Sequence, residues 1–432
     1  MRLIEAAHAR GIRVIGDLTS NHSGDSHEWF RAAFGHPGAP QEEFYYFTDE
    51  GNTEYESWLG YPSLPKFDWS SPELRRLFVE GDDSVVAKWL KPPFSADGWR
   101  IDVANMTGRL GAVDLNAEVR QLLRETMTRI NPDTILLGES TNDAASDLQG
   151  DGWHGAMTYP SFTRPVWGWL SEPTGAPYLD ANGVEQTEAW FFGQPIGGIP
   201  RYTAREFVDA VVRFTAGIPW RVRLGNMQPL DTHDTARFAT NAAPGTIPLA
   251  LGLSVTLPGV PVVFAGDEFG LTGADGELSR TPIPWDAVGD PAIAERLDLY
   301  RDLVGLRRAH GVLATGGLRW VHVDDASVVF VRESAEQCVL VVAARGDVDA
   351  ELAPGAVPGA SEAAALYGDA TLAVADDGSV LLSAEGPVFA AWLLPGVVIP
   401  AAEPATGHDE PLRDIVDGET PTPADLVSDG QA

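Results

Sequence analysis

Three acidic residues occur in short polar clusters whose composition suits acid–base and nucleophilic chemistry: Asp102 in Gly98-Trp99-Arg100-Ile101-Asp102, Glu139 in Leu137-Gly138-Glu139-Ser140, and Asp234 in Thr232-His233-Asp234-Thr235-Ala236-Arg237. A fourth cluster, Asp17-Leu18-Thr19-Ser20-Asn21-His22, adds an acid, an amide and an imidazole. If residues 98–103 are a strand, alternation puts Gly98, Arg100 and Asp102 on one face and Trp99, Ile101 and Val103 on the other. A guanidinium beside Asp102 favours the ionised carboxylate, which suits a nucleophile. If Glu139 shares a cavity with Asp102 and Asp234, accumulated negative charge and desolvation raise its pKa, which suits a general acid. An ionised and a protonated carboxyl about 5–5.5 Å apart is the arrangement for retaining cleavage of a glycosidic bond.

Taken singly, these residues have plainer readings. Arg100 with Asp102 reads as a structural ion pair, and His22 or His233 as a satisfied hydrogen-bonding histidine. The joint occurrence of the clusters, in order, at the ends of candidate strands favours a site.

The elements that must position them follow a βα rhythm. Candidate strands are Ile12–Asp17, Gly98–Ala104, Thr134–Glu139, Gly155–Thr158, Met227–Thr232 and Val260–Ala265. Helical patterns lie between them at Arg2–Arg10, Glu73–Leu90, Asn116–Ile130, Ala204–Thr215, Pro248–Thr256 and Ala292–His310. In parallel α/β sheets and barrels, functional groups gather at the carboxyl ends of the strands, where the clusters fall. The aromatic stretch Ser23–Ser71 reads as an ordered excursion over a site mouth, most of its rings forming its own core. Ser171–Gly198, rich in Gly, Pro and acid, reads either as a lid or as a partly disordered insertion. After His310, short alternating segments predict an antiparallel β-sandwich.

Composition narrows the function classes. The chain has 432 residues, 44% of them hydrophobic, enough for a barrel-sized core and a smaller domain. Its formal net charge of −32 disfavours nucleic acid and anionic membranes as partners. The single cysteine, Cys338, excludes an internal disulfide and a cysteine-based zinc site. No apolar run approaches the roughly 20 residues of a membrane span.

The motifs together resemble the α-amylase family of glycoside hydrolases. DLTSNH (17–22), GWRIDVAN (98–105), LLGES (136–140) and THDTAR (232–237) are similar to its third-, fourth-, fifth- and seventh-strand motifs, and FAGDEFG (264–270) and TPIPWD (281–286) to its eighth-strand region. The resemblance implies a (β/α)8 TIM barrel over 1–310, with a loop subdomain at 23–71 after the third strand. A C-terminal antiparallel β-sandwich would occupy 311–398, before a disordered acidic tail at 399–432. It implies Asp102 as nucleophile, Glu139 as acid/base and Asp234 as the carboxylate that favours transition-state distortion. Arg100, His22, His233, Asp17 and Asn21 would be substrate-binding. DVAN, HDTxR and LPKFDW (64–69) are most similar to the cyclomaltodextrinase, neopullulanase and maltogenic amylase group, which acts on short or cyclic α-glucans.

Some residues depart from the pattern. Asn105-Met106 stands where many α-amylases have a calcium-binding His, so no cofactor or metal is expected, and Met106 replaces a Glu usual in the cyclomaltodextrinase group. Met1 falls in the helix before the third strand, so the first two strands of the barrel are expected to be missing. The chain then reads as an N-terminally truncated fragment or as a protein whose missing wall is supplied otherwise. The expected substrates are malto-oligosaccharides, cyclodextrins or related α-glucans, in a cytoplasmic protein whose homo-oligomerisation is left open. The rival functions are a transglycosidase or disaccharide-active enzyme of the same family, and a non-catalytic carbohydrate-binding or scaffold protein.

Overall fold

A computed structural model describes residues 1–172, 177–186, 189–191, 194–196 and 199–396. Its centre is a six-stranded parallel sheet formed by β1 (Ile15–Thr19), β2 (Gly98–Asp102), β3 (Ile135–Ser140), β4 (Gly155–Thr158), β5 (Met227–Pro229) and β6 (Val260–Val262), paired in that sequential order. Such an order is what repeated right-handed βα crossovers produce. Among the described residues, β1 and β6 each pair on one side only. Register brings the chemistry together: Asp17 lies opposite Arg100, Thr19 opposite Asp102, and Glu139 opposite Met157. Gly98 permits the close β2–β3 approach, since a Cβ there would meet the Ile135 carbonyl oxygen at 2.1 Å.

Helices cover the sheet. They include α1 (Arg2–His8), α2 (Asn116–Ile130), α3 (Thr163–Leu170), α4 (Ala204–Arg213), α5 (Ile247–Thr256) and α6 (Pro291–Ala309). In α2, Val119, Leu123 and Met127 recur every fourth residue and are buried against Trp99, Ile101 and Leu136. Thr203 and Glu206 form a reciprocal capping box at the start of α4. α5 is buried over almost its whole length because it packs on the sheet, on α6 and on the sandwich.

The excursion after β1 is ordered. Bridges His22–Lys66, Tyr45–Phe67, Phe47–Tyr55 and Ser57–Pro65 fold it back on itself, and Phe30, Phe44, Tyr45, Phe67 and Trp69 form a core continuous with the helices beside β2.

Eight further strands form the C-terminal sandwich: β7 (Gly317–Val323), β8 (Ser327–Glu333), β9 (Gln337–Ala344), β10 (Val348–Leu352), β11 (Ala364–Tyr367), β12 (Thr371–Val374), β13 (Val380–Ala384) and β14 (Val388–Pro395). They make antiparallel sheets ordered β7-β8-β9-β14-β11 and β10-β13-β12, with Val331, Leu340, Leu382 and Trp392 between them. Fully buried Arg332 fastens this unit to the parallel-sheet unit by donating to the Thr256 carbonyl at the end of α5, and it donates also to the carbonyls of Leu313, Gly316 and Gly317 where the chain enters β7.

Several boundaries differ from the sequence reading. The first strand is Ile15–Thr19 instead of Ile12–Asp17, because pairing with Gly98–Asp102 sets its limits. The single helix expected over Glu73–Leu90 is broken: Pro72–Glu80 ends at Gly81, and Val85–Leu90 restarts with the Ser84 hydroxyl capping Ala87 N–H. Local periodicity continued across 81–84, but the Gly-Asp-Asp-Ser run there is a turn. β6 stops at Val262, three residues before the expected end, and β10, β11 and β12 were not anticipated. Within 171–198, short ribbons pair Tyr178–Leu179 with Glu185–Gln186 and Ala189–Phe191 with Gln194–Ile196. Residues 173–176, 187–188, 192–193 and 197–198 of that insertion, and the expected tail at 399–432, lie outside the described residues. No helix among the described residues is long and apolar enough to cross a membrane.

Candidate active site

Arg100 organises the site. It is nearly buried, and its Nη1 donates to Asp102 Oδ1 at 2.8 Å and to both oxygens of Asp17 at 3.0 Å. Its Nη2 lies 3.2 Å from Glu139 Oε2, and its Nε contacts Met157 Sδ at 3.4 Å. One guanidinium therefore spans the carboxylates of three adjacent strands, and strand alternation on β2 puts Arg100 and Asp102 on the same face. Trp99 and Ile101 point the other way into the helix-side core.

Glu139 is 8% exposed, and its Oε2 accepts the backbone N–H of Val103 at 2.8 Å. Burial pushes its carboxyl above the ordinary carboxylate range; Arg100 and the Val103 N–H oppose that shift, and Asp102 and Asp234 add to it. The desolvation outweighs the cation, so the residue is poised to hold a proton. Asp102 is more open, with a side chain 29% exposed.

Asp234 sits on the loop after β5, within electrostatic reach of Glu139. Its carboxylate pairs with Arg280 Nη2 and His233 Nε2, each at 3.2 Å, and Arg280 Nε also donates to the His233 carbonyl at 2.8 Å. Behind this loop is a buried charged support. Arg237 donates to Asp267 at 2.6 Å and to the carbonyls of Ser279 and Ala265, with its guanidinium over the Phe264 ring. Asp231, fully enclosed next to Asp267, accepts the Phe238 N–H; burial and then its acidic neighbour hold it well above the usual carboxylate range.

On the opposite wall, His22 is 8% exposed and senses Asp102. Burial pulls its pKa down, Asp102 opposes this, and Lys66 adds to it. Asn21 Nδ2 lies 3.1 Å from His22 Nδ1, so Nδ1 is assigned as acceptor and Nε2 as the N–H. Asn21 is wholly buried: its Oδ1 accepts from Lys66 Nζ, which also donates to the Met106 carbonyl at 3.1 Å. Burial lowers Lys66 to about 8.

Asp17, Asn21, His22, Arg100, Asp102, Glu139, His233 and Asp234 are thus joined by direct contacts or electrostatic reach. The sequence reading quoted Lys66 within a motif without giving it a role and passed over Arg280, which stands one residue before TPIPWD. Tyr159, whose hydroxyl lies 3.1 Å from Thr232 Oγ1, was also missed, although it directly follows β4.

Arg109 fills the region beside Asn105. It is bidentate with Asp147, both contacts at 2.8 Å, and donates to the Asn105 carbonyl at 2.9 Å, while Asn105 Nδ2 donates to Asn142 Oδ1. The oxygens that would serve a cation here are engaged by a guanidinium, so this region does not fit a calcium ion. No group of three or more His, Cys, Asp or Glu side chains among the described residues could hold a metal ion.

The class that fold and site define is a six-stranded parallel α/β sheet with three acids and an arginine at or beyond its strand carboxyl ends, followed by an antiparallel β-sandwich. Residues 1–164 match the family described as "Alpha amylase, catalytic domain". It is 27% identical over 352 residues to neopullulanase 2 of Thermoactinomyces vulgaris, covering 79% of this chain and 53% of the relative. It is 24% identical over 360 residues to a cyclomaltodextrinase of Geobacillus thermopakistaniensis, covering 81% and 54%. The chain thus spans about half the length of these relatives. In fold it is similar to a debranching enzyme from Nostoc punctiforme, with a TM-score of 0.73, 24% identity and coverage of 90% of this chain and 78% of that one.

Proposed function

We propose that this chain is a retaining glycoside hydrolase that cleaves α-glucosidic bonds in malto-oligosaccharides, cyclodextrins or related α-glucans through a covalent glycosyl ester on Asp102. The observation that carries this reading is the Arg100 guanidinium shared by Asp102 and the desolvated Glu139. It supports an asymmetric pair, one acid exposed enough to attack and the other buried enough to carry a proton.

In the first step Asp102 Oδ attacks the anomeric carbon, while Glu139 gives its proton to the glycosidic oxygen and the C–O bond to the leaving sugar breaks. In the second, Glu139, now a carboxylate, takes a proton from water as the water oxygen attacks the same carbon and releases Asp102. Asp234, held by Arg280 and His233, supplies negative charge and hydroxyl contacts that strengthen as the ring flattens. His22 and His233 bind hydroxyls of the cleaved residue, with Asp17, Asn21 and Arg100 completing the substrate-binding set. Asn21 acts through His22, and Arg100 through Asp102.

The test is incubation with maltotriose and with a cyclodextrin, the products followed by proton NMR. Release of glucose or maltose first as the α-anomer is expected. A β-anomer would exclude retention, and binding without turnover would favour a non-catalytic carbohydrate-binding protein.

A further inference from the structure

A buried ammonium stands behind the His22 wall of the site. Lys66 is 3% exposed, and among the described residues it donates to Asn21 Oδ1 and to the Met106 carbonyl, and to no carboxylate. Backbone pairing puts it there. Residue 66 bridges His22 in antiparallel fashion, Ser23 N–H donates to the Pro65 carbonyl at 3.0 Å, and Phe67 N–H donates to that of Asn21 at 3.1 Å. The returning arm of the excursion is thus laid along residues 21–23. Burial lowers Lys66 to about 8, which leaves it mainly charged at neutral pH.

An ammonium has donors and no acceptor, so the end of the Asn21 amide that meets it must be the oxygen. With Oδ1 on Lys66, the amide NH2 is turned to His22, whose Nδ1 it meets at 3.1 Å. A ring nitrogen that accepts does not carry the proton, so the neutral imidazole holds it on Nε2. The charge of Lys66 and the burial of the ring both disfavour the imidazolium. Among the described residues, the Asn21 amide has no side-chain hydrogen bonds besides those to Lys66 and His22. Without the ammonium, the amide is free to turn over, offer Oδ1 to the ring and draw the proton to Nδ1.

We propose that Lys66 is a positioning residue that selects the tautomer of His22: acting through Asn21, it keeps the proton on Nε2, so that His22 meets the sugar as a hydrogen-bond donor. The role of the sugar rests on the α-glucan reading above, whereas the relay from Lys66 to Asn21 to His22 is a property of the chain itself. A buried charge persists where hydrogen bonds satisfy it, and here those bonds also orient an amide that has two chemically distinct ends. The plainer role of Lys66 is a tie between the excursion and the turn after Asp102, through the Met106 carbonyl. Loss of that tie alone would lower stability without moving a proton on His22.

The experiment is long-range proton–nitrogen correlation NMR of the full chain with isotope-labelled histidine at neutral pH, His22 being assigned from the spectrum of His22→Gln, with kcat and KM for maltotriose measured alongside. The parent is expected to show a bare Nδ1 and a protonated Nε2. Lys66→Met and Asn21→Asp should each move the proton towards Nδ1, the first by freeing the amide and the second by replacing its NH2 with an acceptor. Lys66→Arg, whose side chain can only donate, should keep the parent pattern. KM should rise roughly 3- to 10-fold in the two variants that shift the proton, as expected for one lost hydrogen bond. If Lys66→Met fails to fold, Asn21→Asp, which keeps the side chain's size and its acceptor for Lys66, decides alone. A parent proton on Nδ1, or an Nε2 proton retained in either shifting variant, overturns the relay while leaving the glucan reading intact. The expected proton shift in a chain that does not turn over maltotriose supports the relay and overturns the glucan reading.

Discussion

The backbone N–H that Glu139 accepts belongs to Val103, the residue directly after Asp102, and Val103 takes a φ of +48°. A β-branched residue at positive φ is a genuine outlier. Here it turns the end of β2 so that the peptide following Asp102 donates to Glu139. The spacing of the two acids is therefore set by backbone as well as by Arg100.

Because desolvation raises Glu139, the proposed acid stays protonated to higher pH than an ordinary carboxyl. The activity kcat/KM should fall as pH rises through that elevated pKa. Glu139→Gln should lower maltotriose hydrolysis by about 10²–10⁴-fold while retaining sugar binding. With a substrate whose leaving group needs no proton, such as α-glucosyl fluoride, the variant should keep more of its rate and lose the alkaline limb. An unchanged rate and limb on maltotriose would remove Glu139 from the role.

The charged support under Asp234 should be asymmetric in its tolerance. Arg237 and Asp267, 1% and 9% exposed, form a buried pair, and removing the cation in Arg237→Ala should cost about 3–5 kcal/mol in urea denaturation. Asp231→Asn should cost under about 1.5 kcal/mol, because an amide reproduces the neutral acid: its oxygen can accept from Phe238 N–H and its nitrogen can donate to Asp267. Equal losses in the two variants would contradict a protonated Asp231.

His154 gives a pH dependence of stability. Burial, and then the charge of Arg124, pull it from 6.5 to about 4, and its Nδ1 accepts the N–H of Leu136, in the strand that carries Glu139. Since the folded pKa lies below the unfolded one, the unfolded chain takes up a proton that the folded chain refuses, and stability drains away as pH falls from about 6.5 to about 4. The ring is partly exposed, so its share between pH 7.5 and 5 is about 1 kcal/mol after screening. Urea melts of the parent and of His154→Asn at both pH values check this; the variant should lose less stability on acidification.

Which of these features could be read from sequence depends on the range of the interaction. Alternation along Gly98–Asp102 is local, and it put Arg100 and Asp102 on one face and Trp99 in the core. The order of polar strand ends located the Asp102, Glu139 and Asp234 clusters for the same reason. The Arg280–Asp234 pair spans 46 residues and the Lys66–Asn21 bond spans 45, and neither leaves a periodic trace. The start of β1 likewise follows from its pairing with β2, not from its own apolar run, and the break at Gly81 was hidden by helical periodicity on both sides.

The central claim is that Asp102 forms a covalent bond to the sugar. The most direct test is incubation with 5-fluoro-α-glucosyl fluoride, which forms the glycosyl ester with its fluoride leaving readily but turns it over slowly, followed by proteolysis and peptide mass spectrometry. The account predicts a single glycosylated peptide with the sugar on Asp102, and no adduct in Asp102→Asn. Fluoride release without an adduct, or an adduct on Glu139 or Asp234, would contradict it.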